Sequence, residues 1–159
     1  MIVKLTLNGR PTELEVDNGE LLLDSLRNAG FLGVKRGCET ATCGACVVLV
    51  DGRPMYSCVL FSGAMEGRSI TTIEGLGTPN DPHPIQQAFV DEAGVQCGFC
   101  VPGIVLSTKA LLDENPRPTE AEAREALDGH LCRCTGYVKQ VKAVLTAADR
   151  LAGEGRADG

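Results

Sequence analysis

The chain has 159 residues, which is enough for one ordinary domain or two small ones. Its net charge of −6 at pH 7 gives no electrostatic support to nucleic-acid binding. No stretch is apolar over the length needed to cross a bilayer, so membrane insertion is not expected. The first residues enter a strand pattern without the features of a secretory signal, which predicts a cytoplasmic protein.

The first half of the chain shows mainly the alternation typical of a β-sheet. Apolar residues alternate with polar ones over 3–7 and again over 14–16, and Asn8-Gly9 between them predicts a hairpin turn. The other elements predicted in this half are a helix over 21–28, a hairpin over 47–56 that turns at Asp51-Gly52, and a strand over 69–73.

The second half changes to helical spacing. Residues 77–84 are rich in Gly, Pro, Asn and Asp and predict a linker. The helices expected after it cover 85–92, 104–113 behind a first-turn Pro102, 120–127 behind a Thr119 capping box, and 138–151. We therefore predict domains at residues 1–76 and 85–152 and a flexible tail at 153–159.

Eight cysteines fall into two sets of four, separated by a long gap in the sequence. The first set is Cys38, Cys43, Cys46 and Cys58, and the second is Cys97, Cys100, Cys132 and Cys134. An even number of cysteines would suggest disulfides in a secreted protein, but in a reducing cytoplasm it favours metal or redox chemistry.

The first set has the C-x4-C-x2-C spacing of plant-type [2Fe–2S] proteins, followed by a fourth cysteine twelve positions later. Three ligands come from one tight loop, and the fourth returns from a neighbouring element. Gly44 permits backbone angles that bring N–H groups toward the sulfides. The alternatives are zinc, which prefers paired C-x2–4-C knuckles, and disulfides, which the compartment disfavours.

The second set consists of a C-x2-C pair and a C-x-C pair. C-x2-C alone is also compatible with a thioredoxin-like redox pair or half of a zinc site. Adjacent thiolates in C-x-C suit a compact cluster better than a single zinc ion. Both pairs precede predicted helices, whose N-termini stabilise an anionic group.

Three motifs occur in a fixed order: Gly37 to Cys46, Gln96 to Gly103 and Leu131 to Tyr137. With these motifs the chain resembles the iron–sulfur subunit of the molybdenum hydroxylases, the family of xanthine dehydrogenases, aldehyde oxidoreductases, carbon monoxide dehydrogenases and hydroxybenzoyl-CoA reductases. The resemblance covers about residues 2–150. Val101 departs from the Thr or Gln of many relatives, but it replaces no ligand.

The resemblance implies an α+β chain with an N-terminal β-grasp, plant-type ferredoxin domain and a C-terminal four-helix domain. Each would bind one [2Fe–2S] cluster, with all eight cysteines as metal ligands. It also implies a large catalytic subunit with molybdenum–molybdopterin, as the cytosine dinucleotide, and a medium FAD-binding subunit. The assembly expected is a dimer of heterotrimers.

The resemblance further implies a role in electron transfer rather than in catalysis. Gln96 and Cys134 would lie beside the molybdopterin, with Cys134 also an iron ligand. Electrons would pass from molybdenum to the helical cluster, then to the ferredoxin cluster and FAD. Two other hypotheses are a free two-cluster ferredoxin that shuttles between enzymes and a zinc-stabilised interaction module.

Four further residues have conspicuous chemistry but a simpler expected role. His83 and His130 are expected to be solvated or to cap helices, since the cysteines already form two complete sets. Tyr137 is expected in a core or an interface. Arg133, between two cysteines, is expected to screen cluster charge or to contact a partner.

Overall fold

The computed structural model describes residues 1–154, in which a mixed β-sheet with one helix is followed by four further helices. The strands are β1 Ile2–Leu7, β2 Arg10–Glu15, β3 Val47–Val50, β4 Arg53–Tyr56 and β5 Ser69–Thr71. In this part of the chain no helix has the length and apolar character needed to span a membrane.

The sheet has the strand order β2-β1-β5-β3-β4. Two antiparallel hairpins, β1–β2 and β3–β4, are joined through β5, which runs parallel to β1 and antiparallel to β3. The Asn8-Gly9 and Asp51-Gly52 turns have positive φ at both residues, as a two-residue type I′ turn requires. Both predicted hairpins are therefore confirmed.

The helices are α1 Leu22–Asn28, α2 Pro84–Asp91, α3 Val101–Glu114, α4 Glu120–Leu127 and α5 Val138–Glu154. The predicted capping box begins α4, because Thr119 Oγ1 accepts from Glu122 N at 3.3 Å and Glu122 Oε2 accepts from Thr119 N at 2.6 Å. The α+β class expected from the sequence is confirmed.

Two main hydrophobic cores form, one under the sheet and one among α2–α5. The first includes Leu26 of α1 packed with the sheet, and the second includes Phe89 of α2. A smaller cluster joins the two, because Leu106 of α3 packs with Val47 and Leu49 of β3. Full burial of one such leucine contributes about 1.5–3 kcal/mol, so this contact holds the helices against the sheet.

Most element ends lie within a few residues of the prediction, and two of those that differ change the description of a segment. The predicted strand 69–73 stops at Thr71, because Thr72 N–H donates to the Asn8 side chain at 2.8 Å and a 3-10 helix, Ile73–Gly75, follows. Helix α5 continues to Glu154, so residues 153 and 154 are helical instead of part of a tail. The rest of that predicted tail lies outside the described residues. The domain limits at 76 and 85 stay predictions.

Candidate metal centres

The first three cysteines lie on an irregular loop between α1 and β3. Cys46 directly precedes β3, and Cys58 lies in a 3-10 helix, Ser57–Val59, that follows β4. Because β3 and β4 form a hairpin, these two cysteines face each other and their thiols are in contact. Ser57 Oγ donates to the Cys46 carbonyl at 2.7 Å and fixes this junction.

Backbone N–H groups of the loop are directed at Cys38. The N–H groups of Thr40, Thr42 and Cys43 lie 3.4, 3.5 and 3.4 Å from its Sγ. Hydrogen bonds from the Thr40 side chain and from these amides lower the pKa of Cys38 to about 6. The loop therefore stabilises negative charge on this sulfur before any metal contributes.

Cys46 has the opposite environment. Burial raises the pKa of its thiol to about 11, and the adjacent Cys58 is equally enclosed. Two thiolates in a dry site are unfavourable unless they share a cation. This donor set fits an iron–sulfur cluster, which is enclosed on one side and stabilised by amides on the other.

Gly44 is required by both the loop and its surroundings. Its φ of +74° is in the region that favours glycine, as the sequence predicts. A Cβ at this position would overlap the His130 ring and the Gly129 carbonyl. The first loop is thus in van der Waals contact with the segment that leads into the C-x-C pair.

The second set of cysteines is assembled from two distant segments. Cys97 and Cys100 lie between α2 and α3, while Cys132 and Cys134 lie between α4 and α5. The Cys100 thiol contacts Cys132, and the Cys134 thiol contacts Cys97, so each pair takes one cysteine from each segment.

None of the eight cysteines forms a disulfide. Residues 1–154 contain no three His, Cys, Asp or Glu side chains grouped closely enough for a single metal ion. What the structure brings together directly is three pairs of thiols, Cys46 with Cys58, Cys100 with Cys132, and Cys97 with Cys134. The two complete sets of four ligands stay a prediction.

Thr135 supplies the hydrogen bonds at the C-x-C turn. Burial raises the pKa of Cys132, but hydrogen bonds from the Thr135 hydroxyl and N–H outweigh it, and the pKa falls to about 7. These groups lie 3.1 and 3.4 Å from the sulfur. By contrast, burial raises the pKa of the Cys100 thiol to about 11.

Tyr137 braces the same turn and is more than a core tyrosine. Its hydroxyl accepts from Cys132 N–H at 2.8 Å and donates to the His130 carbonyl at 3.1 Å. Its φ of +69° is unusual for a residue with a side chain, so the turn holds it in a conformation that costs energy. Tyr137 is part of the sequence motif, but the motif does not predict that its hydroxyl braces the turn.

A direct hydrogen bond joins the two cysteine loops. Leu131 N–H donates to the Cys43 carbonyl at 2.9 Å, which connects the residue before Cys132 with a cysteine of the first set. The Tyr56 hydroxyl donates to the Gly129 carbonyl at 3.2 Å next to it. The two sites are consequently neighbours in one rigid junction.

The two histidines have different outcomes. His83 caps α2, with Nδ1 accepting from Ile85 N–H at 3.2 Å, which confirms the capping prediction. For His130 the prediction of a solvated or capping residue is wrong, since it is only 3% exposed and its Nε2 lies 2.7 Å from Ser107 Oγ. Burial lowers its pKa to about 4. The sequence alone does not show that α3 packs against His130.

Sequence reasoning also missed Gln140 on α5. This side chain is fully buried, and its Nε2 donates to the Gly94 carbonyl at 3.3 Å and to Cys100 Sγ at 3.6 Å. The sequence feature that could have indicated its burial is the position of a polar residue immediately before Val141, on the face of α5 that the apolar spacing assigns to the core.

Comparison with known proteins agrees with this arrangement. Residues 5–70 match the family described as a 2Fe-2S iron-sulfur cluster binding domain, and residues 72–145 match the [2Fe-2S] binding domain family. The chain is 42% identical to the nicotinate dehydrogenase small FeS subunit of Eubacterium barkeri, over 94% of this chain and 96% of that protein. It is 45% identical to the nicotine 6-hydroxylase small subunit of Paenarthrobacter nicotinovorans, over 94% of this chain and 90% of that protein.

This chain belongs to the iron–sulfur subunits of the molybdenum hydroxylases. Its fold superimposes on the aldehyde oxidoreductase of Desulfovibrio gigas with a TM-score of 0.93 and 44% identity, covering 97% of this chain and 17% of that one. The β-grasp ferredoxin domain, the four-helix domain and two [2Fe–2S] clusters are therefore established for it. So is its role as an electron-transferring iron–sulfur subunit of a molybdenum-dependent oxidoreductase.

The second site of this iron–sulfur subunit is open to solvent on one side. Gln96, Cys97, Arg133 and Cys134 are all exposed. Large apolar side chains on the same two loops and at the start of α5 are also exposed, namely Val95, Phe99, Leu131 and Val138. Val101, the residue that departs from many relatives, is half-buried at the start of α3 and packs against the helical core.

Proposed function

We propose that this subunit transfers electrons from the molybdopterin centre of the large subunit, through both clusters, to FAD on a medium subunit. Cys38, Cys43, Cys46 and Cys58 would ligate one cluster, and Cys97, Cys100, Cys132 and Cys134 the other. Each bound cluster would take up and release one electron at a time. The observation that carries this proposal is the hydrogen-bonded junction between the two cysteine loops.

The contacts within each set suggest which cysteines share an iron. Each iron of a [2Fe–2S] cluster needs two thiolates beside the bridging sulfides. The contact of Cys46 with Cys58 assigns those two to one iron, which leaves Cys38 and Cys43 for the other. In the helical domain the contacts assign Cys100 with Cys132 and Cys97 with Cys134.

The junction offers a short route between the two sets of ligands. From Cys43 it crosses one hydrogen bond of 2.9 Å to Leu131 N–H and then follows the Leu131 backbone to the next residue, Cys132. Gly44 and His130 are buried beside this route, and their close approach holds the two loops together. A short and firmly held route is what rapid electron transfer between the loops requires.

The exposed rim of the second site supports docking of the large subunit there. It combines unpaired apolar side chains such as Phe99 and Leu131 with the exposed pair Cys97 and Cys134. Exposed apolar patches bordered by polar groups mark protein interfaces. We assign Gln96 and Cys134 to the contact with the molybdopterin, and the loop around Cys38 to the side of the FAD subunit.

The assembly is tested by coexpressing the chain with its large and medium subunits and purifying through a tag on this chain. We expect a complex with molybdenum, FAD and about four irons per small subunit, in a dimer of heterotrimers. Both clusters should be reduced when substrate is added. Purification of the chain alone with full iron would support a free shuttle instead, and zinc in place of iron would contradict both.

The place of Gln96 is tested by Gln96→Leu, which keeps similar bulk and removes the amide. We expect full iron, with slower cluster reduction by substrate or poorer molybdopterin retention. Gln87→Leu makes the same chemical change on α2, where the Gln87 amide contacts Asp91 at 2.7 Å, and should leave both properties unchanged. Normal reduction and full cofactor in the Gln96 variant would remove the residue from the pterin contact.

A further inference from the structure

Gln140 occupies a position where the fold by itself calls for an apolar side chain. It is fully buried on α5, beside Val141 and Val144 of the helical core. Its amide nitrogen has two acceptors, the Gly94 carbonyl and Cys100 Sγ, while its Oε1 has no hydrogen-bond partner among the described residues. A buried oxygen without a partner destabilises the fold, so packing does not account for a glutamine here.

The orientation of the amide is fixed by its neighbours. The Gly94 carbonyl can only accept a hydrogen bond, so the nitrogen of Gln140, and not its oxygen, must face it. The same NH2 group then lies 3.6 Å from Cys100 Sγ. The orphaned oxygen is the consequence of holding a donor against this sulfur.

We propose that Gln140 is a positioning residue that raises the reduction potential of the helical cluster through its N–H···S contact with Cys100. This inference rests on the proposed ligation of that cluster by Cys100. One-electron reduction makes a cluster and its thiolates more negative, and a donor beside a ligand sulfur stabilises the more negative state. Removing the donor therefore lowers the potential.

The contact is specific to one of the two sites. At the ferredoxin loop, the donors to Cys38 all belong to that loop, namely the amides of Thr40, Thr42 and Cys43 and the Thr40 side chain. At Cys100 the donor is a side chain carried by a different element of the fold, so its effect can be changed by mutation. Substitution of Gln140 can therefore change the reduction potential of the helical cluster without changing that of the ferredoxin cluster.

The test uses the iron-loaded full chain, with Gln140→Leu and Gln140→Met, both of which fill the space without a donor. Potentiometric titration with dithionite, followed by electron paramagnetic resonance, reports each cluster separately. We expect both variants to lower the reduction potential of the helical cluster. At a given potential, the ratio of its oxidised to its reduced form should rise several-fold, and a tenfold rise corresponds to about 59 mV for one electron. The ferredoxin cluster is the internal reference and should not shift.

Thr146→Val is the matched control on the same helix. It removes the 2.8 Å hydrogen bond to Glu92 and so perturbs the α2–α5 contact without touching a cysteine. Its helical-cluster potential should equal that of the wild type. A similar shift in this control would attribute the effect to loosened helices and overturn the proposal.

The remaining outcomes are also decisive. Unchanged potentials with full iron in both Gln140 variants would overturn the proposal, as would loss of the helical cluster from both, which would give Gln140 a structural role at Gly94. Absence of the helical-cluster signal from the wild-type chain would instead contradict the proposed function itself, so the two failures are distinguishable.

Discussion

The two cysteine sites of this iron–sulfur protein are built in different ways. In the ferredoxin domain, three of four cysteines come from nine consecutive residues, and the donors to Cys38, three amides and the Thr40 side chain, belong to that same loop. In the helical domain, two segments meet only because α2–α5 pack together. The side chains of Thr135 and Gln140 contact the sulfurs there, and the Tyr137 hydroxyl accepts from the Cys132 N–H.

The difference shows where each site obtains its geometry. A local loop carries its own ligand geometry and needs the fold mainly for Cys58. Cysteines of both sites belong to a hydrophobic core, Cys46 and Cys58 to that of the sheet and Cys100 to that of the helices. The helical site has no such independence, because its two cysteine pairs lie on segments that only the packing of α2–α5 brings together. Perturbations of packing should therefore affect the second site more than the first.

The largest expected effect comes from loss of a ligand. Cys43→Ser should lower the iron content from about four to about two per chain and remove only the ferredoxin-domain signal. Cys100→Ser should remove the helical signal and lower the thermal stability as well, because it places a hydroxyl in the core. Iron analysis, electron paramagnetic resonance and thermal unfolding measure these effects. Loss of both signals from a folded Cys43→Ser chain would contradict the separate sets.

Gly44→Ala tests the junction between the two loops. The added Cβ would meet the His130 ring and the Gly129 carbonyl. We therefore expect the free energy of unfolding to be about 1–3 kcal/mol lower than that of the control variant. The magnetic coupling between the reduced clusters should also weaken. Gly52→Ala is the control, because Gly52 has a similar φ of +80° but nothing within 4 Å of the added atom. If both substitutions destabilise the fold equally, the positive φ of the glycine accounts for the effect, and the contact with His130 and Gly129 does not.

Tyr137→Phe sharpens the comparison within the helical site. Without the hydroxyl, Cys132 N–H and the His130 carbonyl lose their partner, at a cost of about 1–2 kcal/mol. Iron should leave the helical site faster under a chelator, while the ferredoxin site keeps its rate. If iron leaves both sites faster to the same extent, the Tyr137 hydroxyl does not stabilise the helical site specifically.

The smallest effect expected is a pH dependence of the α2–α5 contact. Hydrogen bonds from Lys142 and Thr146 lower the pKa of Glu92 below its ordinary value of 4.5. Its contribution to stability is present above that value and is lost as the pH falls through the lowered pKa. Glu92→Gln should therefore flatten the acid side of the stability curve of the helical domain, measured by chemical unfolding between about pH 5 and pH 3.

What the sequence predicts well is encoded locally. The Asn8-Gly9 and Asp51-Gly52 turns and the Thr119 capping box depend on residues a few positions apart, and all three are confirmed. The plant-type spacing is local in the same sense, since one loop supplies three of the cysteines. These features need no knowledge of how distant segments meet.

What the sequence does not predict depends on tertiary contacts. His130 is buried because Ser107 of α3 reaches it, and Gln140 matters because α5 places it over Cys100. Strand β5 ends two residues early because Asn8, more than sixty positions away, captures Thr72 N–H. The linkage of the C-x2-C and C-x-C segments into cross-pairs likewise becomes visible only in the folded chain.

The contact of Leu106 with Val47 and Leu49 limits how far the molecule can be divided. These two β3 side chains are 4% and 5% exposed in the folded chain, and Leu106 forms a cluster with them. A ferredoxin half produced alone, ending before α2, would present both to water together with the bare face of Gly44. Such a fragment would be prone to self-association, and a designer who wants it as a stand-alone electron carrier should first replace those two side chains with polar ones.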